Sequence, residues 1–238
     1  MSSWLDRLHD ARETPHVAAY KEVRAASQSW FKKIMQQPAW EAANLHRAAK
    51  KLGLPVHDRT IVFDDENDTA LLMDYFLLEY RQGGKSIAES CVFAPGELTA
   101  AEAEYHQAVL ASRTSLFAVT GTHDHEPMLR LRDLLEPEAA EIWLTDLGFA
   151  ASIRRLSKHP LLFTRVVPVR SLHITGGFSF LFDPGQEPAL VDGYRRAMWP
   201  VPVPHRSHRR TSFFLDRSRR LGQPLALADV VATKKPGV

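Results

Sequence analysis

The chain has 238 residues, 45% of them hydrophobic, and a formal net charge of +2, an ordinary composition for a globular protein with one large domain or two small ones. A single cysteine, Cys91, excludes an internal disulfide and a structural zinc site built on paired cysteines. No apolar run reaches the roughly 18 residues that a membrane-spanning helix needs, so no membrane association is expected. The first residues lack the apolar core of a signal peptide, and we therefore expect a cytoplasmic protein.

Residues 1–113 are predicted to be helical. Thr14 followed by Pro15 is typical of a helix start, with the cap before the first helical position. Gly53 is placed to end a later helix, and Thr99 with Glu102 has the spacing of a capping box. The predicted helices cover about residues 16–35, 39–52, 69–81, 86–93 and 99–112. The third, which Asp68 would cap, is apolar almost all round and should be buried by its neighbours.

After Arg113 the pattern changes to short runs of β-forming residues separated by turns. The predicted strands cover residues 115–120, 128–133, 141–146, 161–169 and 172–182. Strands this short and this closely spaced predict a small antiparallel β-barrel or curled sheet. Gly176 and Gly177, inside the last strand, predict a bulge or a barrel corner.

A further helix is predicted over residues 188–199, and the three prolines at 200, 202 and 204 then predict an extended segment. The fold class is therefore α+β: a helical N-terminal region, a small antiparallel β-barrel or sheet, a C-terminal helix and a basic extension. The corresponding division is a helical region at 1–113, a small β domain with its closing helix at 114–200, and a basic C-terminal extension at 201–238.

The charge is distributed unevenly along the chain. Residues 195–238 contain ten basic side chains and two acidic ones, so this stretch is near +8 whereas the first 194 residues are near −6. A charge block that a fold does not require often meets an oppositely charged partner. The extension is therefore the first candidate for a binding surface.

Six arginines and two aromatic residues of the extension are the candidate partner-binding residues. They are Arg206, Arg209, Arg210, Phe213, Phe214, Arg217, Arg219 and Arg220. Guanidinium groups suit phosphate oxygens and phenylalanine rings can stack on exposed bases, so the expected partner is an acidic protein surface or nucleic acid. Two alternatives stay open: the segment docks on the acidic body with its phenylalanines in the core, or it forms a solvated face.

The remaining clusters of polar residues give no catalytic motif. Asp74 and Glu79 lie on the apolar helix, but a separation of five residues places them on different faces, so structural hydrogen bonding or arginine partners are expected instead. His123 and His125 lie in a predicted hairpin loop, and we expect neither a metal site nor a cofactor. The sequence Gly83-Gly84-Lys85-Ser86 ends like a phosphate-binding loop, but it follows a helix and is predicted to be a turn.

These observations predict a binding or adaptor protein without catalysis that engages an acidic partner through its basic extension. Two alternatives remain from the residues alone. One is a hydrolase-like enzyme whose carboxylates and histidines converge only in space. The other is a subunit of a larger complex, and the sequence does not fix an oligomeric state.

Four segments carry a resemblance to a known family: MDYFLLEYR at residues 73–81, GKSIAE at 84–89, LRLRDLL at 129–135 and LLFTRVVP at 161–168. Over about residues 60–183 the chain resembles a family of uncharacterised bacterial proteins in which a helical segment precedes a small β domain. Many members carry a zinc motif of the SEC-C type, which this chain lacks because it has one cysteine. The resemblance implies an architecture and no reaction.

Overall fold

The computed structural model describes residues 14–58, 60–63, 66–154, 156–202 and 206–222. Within them lie nine α-helices, a two-stranded hairpin and a five-stranded barrel, so the predicted α+β class is confirmed. The helices are α1 (Pro15–Ile34), α2 (Pro38–Glu41), α3 (Leu45–Leu52), α4 (Glu66–Leu78), α5 (Ile87–Ser90), α6 (Ala100–Leu110), α7 (Leu147–Ile153), α8 (Glu187–Met198) and α9 (Arg206–Leu221). The strands are β1 (Val56–His57), β2 (Thr60–Ile61), β3 (Arg113–Thr122), β4 (Met128–Asp133), β5 (Ile142–Thr145), β6 (Leu161–Val169) and β7 (Leu172–Phe182).

Helix ends follow the capping residues that the sequence offers. The Thr14 hydroxyl accepts from the amide of Val17 at 3.2 Å, which satisfies one of the free donors at the start of α1. Gly53 ends α3 in the left-handed conformation, at φ 94°. Thr99 and Glu102 form the predicted capping box at the start of α6.

Two helix boundaries differ from the prediction. Residues 39–52 form two helices, α2 and α3, because Asn44 interrupts them and caps the second by accepting from the amide of Arg47 at 2.9 Å. Asp68 does not cap α4, which already begins at Glu66. Its carboxylate binds Arg219 instead, at 2.9 Å. The short helix α7 was not predicted from the sequence.

The barrel closes in the order β3-β4-β5-β7-β6, and each predicted strand corresponds to one of its strands. The expectation of a wholly antiparallel barrel is wrong in one place, since β5 pairs with β7 in parallel, with Leu144 opposite His173. A closed ring with an odd number of strands cannot alternate direction throughout, so five strands require a parallel pair. That pair forms between two strands that no hairpin joins.

The predicted bulge at Gly176 and Gly177 is confirmed. Along β6 and β7 the pairing passes from Thr164 with Ser179 to Val166 with Thr175, so residues 176–178 of β7 stand opposite Arg165 alone. Gly177 has φ 123°, a backbone conformation that residues with a β-carbon rarely adopt.

Two hydrophobic cores hold these elements together. The smaller one includes Phe117, Leu131 and Leu162 of the barrel together with Ala150 and Ile153 of α7. The larger one joins the barrel to the surrounding helices and contains buried residues from all three segments of the predicted division, for example Leu71, Phe163 and Phe214. The segment boundaries at 113 and 200 stay a prediction.

Candidate anion-binding site beneath the C-terminal helix

Within the basic extension, residues 206–221 form helix α9, which is docked on the body. Thr211, Phe214 and Leu215 recur at helical spacing and are buried. The Phe214 ring stacks on Phe163, with 4.3 Å between ring centroids, and also on Tyr194 at 5.6 Å. Phe214 is therefore part of the core, as in the docked alternative, and its ring has no exposed surface to offer a partner.

Several of the other candidate residues contact neighbours on the same surface. The Arg217 guanidinium lies 5.2 Å from the centre of the half-buried Phe213 ring. Arg219 pairs with Asp68 at 2.9 Å, and Arg220 pairs with Asp216 at 2.7 Å. Arg206 Nε donates to the carbonyl of Val201 at 3.1 Å, and the Arg206 and Arg209 side chains are exposed.

Arg210 instead lines a pocket of about 180 Å³ that lies between α9, the residues after α4 and the start of β3. The pocket has many polar groups. Its charged residues are Arg81, Arg113, Arg165, Arg210, Glu79 and Glu89, and its hydroxyl groups belong to Ser86, Ser112, Thr114 and Ser207. Three carboxylates outside the lining, those of Asp74, Asp133 and Glu136, also pair with these arginines.

The arginines of this pocket differ in how well they are satisfied. Arg81 donates to Glu89 at 2.8 Å, and Arg113 pairs with Asp133 at 3.1 Å and with Glu136. The Nε–H of Arg210 is buried and has no hydrogen-bond acceptor among the described residues. A buried donor without an acceptor is costly, so Arg210 is the least satisfied arginine of the pocket lining.

The inner wall of the pocket is a buried ion network centred on Arg165 of β6. Arg165 Nε donates to both carboxylate oxygens of Asp74, at 2.8 and 2.9 Å, and Nη2 donates to Glu79 at 2.7 Å. The hydroxyls of Thr114 and Thr211 donate to Glu79 at 3.0 and 2.6 Å. The expectation that Asp74 and Glu79 have hydrogen-bonding or arginine partners is confirmed.

Burial and charge shift the pKa values of this network. Burial raises the pKa of the Asp74 carboxyl to about 6, opposed by Arg165 and reinforced by the charge of Glu79. Burial would lower the pKa of Arg165, but the two carboxylates outweigh it and raise that pKa. Arg165 therefore stays charged and is held in one position by its partners.

Sequence reasoning missed the meeting of Asp74 and Glu79 and did not identify Arg165. Glu79 directly follows Leu78, the last residue of α4, and its carboxylate reaches the same arginine as Asp74. A signal was present in the strand itself, because Arg165 is a charged residue within the otherwise uncharged run from Leu161 to Val169. An arginine on a strand buried on both faces requires carboxylate partners.

The histidine pair does not join this network. His123 and His125 lie in the loop after β3, where His123 Nδ1 accepts from the amide of Glu126 at 3.0 Å and the His123 ring contacts Trp143. Within the described residues, no group of three or more histidine, cysteine, aspartate or glutamate side chains is arranged to hold a metal ion. Burial raises the pKa of Cys91 to about 11, so its thiol stays protonated at neutral pH.

The Gly83-Gly84 segment beside the pocket is a turn between α4 and α5. Gly83 and Gly84 have φ values of 60° and 85°, and Ser86 begins α5 with a capping box to Glu89. No helix in the described part of the chain combines the length and the apolar character needed to cross a membrane.

A family model described as a family of unknown function (DUF7986) matches residues 14–228. The chain belongs to this family. The match agrees with the resemblance to an uncharacterised family and extends well beyond residues 60–183 on both sides. No curated protein and no solved structure matches the chain.

Proposed function

We propose that the protein is a binding protein without catalysis that takes a phosphate group of an acidic partner in the arginine pocket beneath α9. The observation that carries the proposal is the buried Nε–H of Arg210, which lacks an acceptor among the described residues in a pocket shared with three further arginines. A phosphate oxygen would accept from that donor in a charge-assisted hydrogen bond.

The other groups of the pocket suit the same ligand. Serine hydroxyls can donate to phosphate oxygens that guanidinium groups leave free, and Ser86 and Ser207 line the cavity. Arg165 is already fixed by its carboxylates, so ordering it on binding costs little entropy. Glu79 and Glu89 oppose an anion, but they are engaged with Arg165 and Arg81.

The exposed arginines on the outer surface of α9 favour a macromolecular partner over an isolated phosphate group. Arg206 and Arg209 are exposed on this helix and add attraction that does not depend on the shape of the pocket. Nucleic acid satisfies both requirements, since it presents one phosphate to the pocket and others to the helix. The cytoplasmic location expected from the sequence is part of this proposal.

The test compares two variants with the same change of charge, Arg210→Gln and Arg209→Gln. Fluorescence anisotropy would follow a labelled single-stranded RNA and its DNA counterpart, and calorimetry would follow inorganic pyrophosphate, all with the full chain. We expect Arg210→Gln to weaken binding about tenfold or more, because a buried charge-assisted hydrogen bond contributes on the order of 1.5–3 kcal/mol. Arg209→Gln should weaken it only a few-fold, and less as salt is added.

Pyrophosphate distinguishes binding in the pocket from binding on the outer surface of α9. If RNA binds but pyrophosphate does not, and both variants weaken RNA binding equally, the contact is a diffuse surface attraction and the pocket assignment fails. If neither nucleic acid nor pyrophosphate binds at micromolar protein, the proposed function itself is wrong.

A further inference from the structure

A second cavity, of about 280 Å³, lies on the other side of Arg165. It is formed by α1, α4, α6 and the bulge of β7. The two cavities share Leu78, Val109 and Arg165 as lining residues, so these side chains form the wall between them. The two cavities differ in chemistry, because the second is mostly apolar.

The walls of this cavity are aromatic and aliphatic. Its aromatic lining consists of Trp30, Phe31 and Tyr105, and its aliphatic lining includes Met73, Leu77 and Val167. Gln28 and Gly177 also line it and are exposed, so the cavity opens to solvent at that end. The volume is near the lower limit of small-molecule sites and suits a compact ligand of one or two rings.

Gly176 lets the strand approach the polar end of the cavity. A β-carbon on Gly176 would lie 2.8 Å from Cβ of Arg165 and 3.0 Å from Oδ2 of Asp74, both too close. The missing side chain therefore leaves room for the ion pair beside the cavity wall.

Asp74 supplies the polar end with hydrogen-bonding capacity that is not used up. Each of its oxygens accepts from Arg165 Nε, and neither accepts a further hydrogen bond from a described residue. A carboxylate has about four lone-pair sites, so Asp74 can accept from a ligand as well. Its side chain is 5% exposed, which makes such a bond strong because water competes little for it.

The charges around this end select a neutral ligand. Arg24 and Arg165 would repel a cation, and Asp74 would repel an anion. Arg24 is held in place by hydrogen bonds from Nε to the Tyr20 hydroxyl at 2.9 Å and from Nη1 to the Thr175 carbonyl at 2.9 Å. A neutral molecule with an apolar body therefore meets the least opposition in the cavity.

We propose that this cavity binds a small neutral aromatic molecule that donates an N–H or O–H hydrogen bond to Asp74. The site is separate from the phosphate pocket and does not depend on the function proposed for it. The aromatic walls hold the ring of the ligand, and the carboxylate fixes its orientation.

The methyl groups of the methionines report ligand binding directly in the full chain. The protein has five methionines, and among the cavity-lining residues Met73 is the methionine. The probe is indole, and its matched control is benzothiophene, which has nearly the same shape but no N–H donor. The measurement is the methyl NMR spectrum of protein labelled at the methionine methyl groups, in which Met73→Leu identifies the Met73 signal. Indole should shift the Met73 signal and leave the Met198 signal in place. Indole should bind about tenfold more tightly than benzothiophene.

Ala70→Leu fills the cavity without changing the ion network, since Ala70 lines the cavity and is partly buried. It should abolish the indole effect on Met73, whereas Ala18→Leu, at an exposed position of α1, should not. A Met73 signal that does not respond to indole overturns the proposal without any variant. Equal affinity for the two probes overturns the donor requirement, and unchanged binding in a folded Ala70→Leu protein overturns the location.

Discussion

The inside of the barrel and the contact between barrel and helices are built from different residues. The barrel core consists of apolar side chains such as Phe117, Leu131 and Leu162. The barrel–helix contact is larger and contains, besides its apolar residues, the buried side chains of Asp74, Glu79 and Arg165. Hydrophobicity alone can specify the barrel core, whereas the barrel–helix contact also contains charged groups that need partners.

The difference shows where the molecule carries polar groups at a cost to its stability. A buried ion pair often stabilises a fold no more than apolar residues of similar volume would, so its presence is weak evidence for a stabilising role. Both cavities border Arg165. The barrel core therefore carries no such cost, whereas both proposed binding sites border the region that does.

The largest expected effect is that of removing the centre of the network. Arg165→Met should lower the free energy of unfolding by about 3–5 kcal/mol, because it leaves two buried carboxylates without their cation. Combining it with Asp74→Asn and Glu79→Gln should recover more than half of that loss. Urea denaturation measures both, and a triple variant no more stable than Arg165→Met would show that packing, not charge, makes Arg165 important.

A barrel-core variant completes this comparison. Leu162→Ala should cost about 2–5 kcal/mol through the lost contacts and the cavity that remains. Its cost should not depend on salt or on pH between 4 and 7, since no charged group belongs to that core.

The second prediction concerns the docked C-terminal helix. Phe214→Ala should lower the free energy of unfolding by roughly 3 kcal/mol, because the ring is fully buried against Phe163. Denaturation midpoints of wild type and variant measure the loss. A midpoint that hardly moves would show that α9 adds little to the fold in solution.

The barrel strands and most helix ends could be predicted because local signals determine them. Alternation and turn residues mark the strands, and Thr14, Gly53 and Thr99 mark helix ends within a few residues of their position. Docking of the extension was one of the alternatives left open by the sequence, but helix α9 itself was not predicted, since its six arginines hide the short buried stripe of Thr211, Phe214 and Leu215. The Arg165 network was also missed, because its members are 86 and 91 residues apart in sequence and meet only in the folded chain.

The third prediction uses the raised pKa of Asp74. Because that pKa is about 6 in the folded protein and 3.8 ordinarily, the folded state holds the proton more tightly. This group therefore adds stability below about pH 4, and the contribution is lost as the pH rises through 6. The stability of wild type relative to Asp74→Asn should fall between pH 4 and 7, as thermal melts at several pH values would show. A difference that stays constant would place the pKa of Asp74 in its ordinary range.

The smallest expected effect is a difference in stability between a variant in the pocket and a variant on the outer surface of α9. Arg210→Met should stabilise the ligand-free protein by about 1 kcal/mol, because it removes a buried donor that lacks an acceptor among the described residues. Arg209→Met, at an exposed position of the same helix, should change stability by less than about 0.5 kcal/mol. Thermal melts should show the Arg210 variant about 2–4 °C above wild type without ligand. Saturating pyrophosphate should remove that advantage, because the ligand stabilises only the protein that binds it. If Arg210→Met is destabilising instead, the Arg210 guanidinium already has a partner in solution, and the pocket does not depend on a ligand to satisfy it.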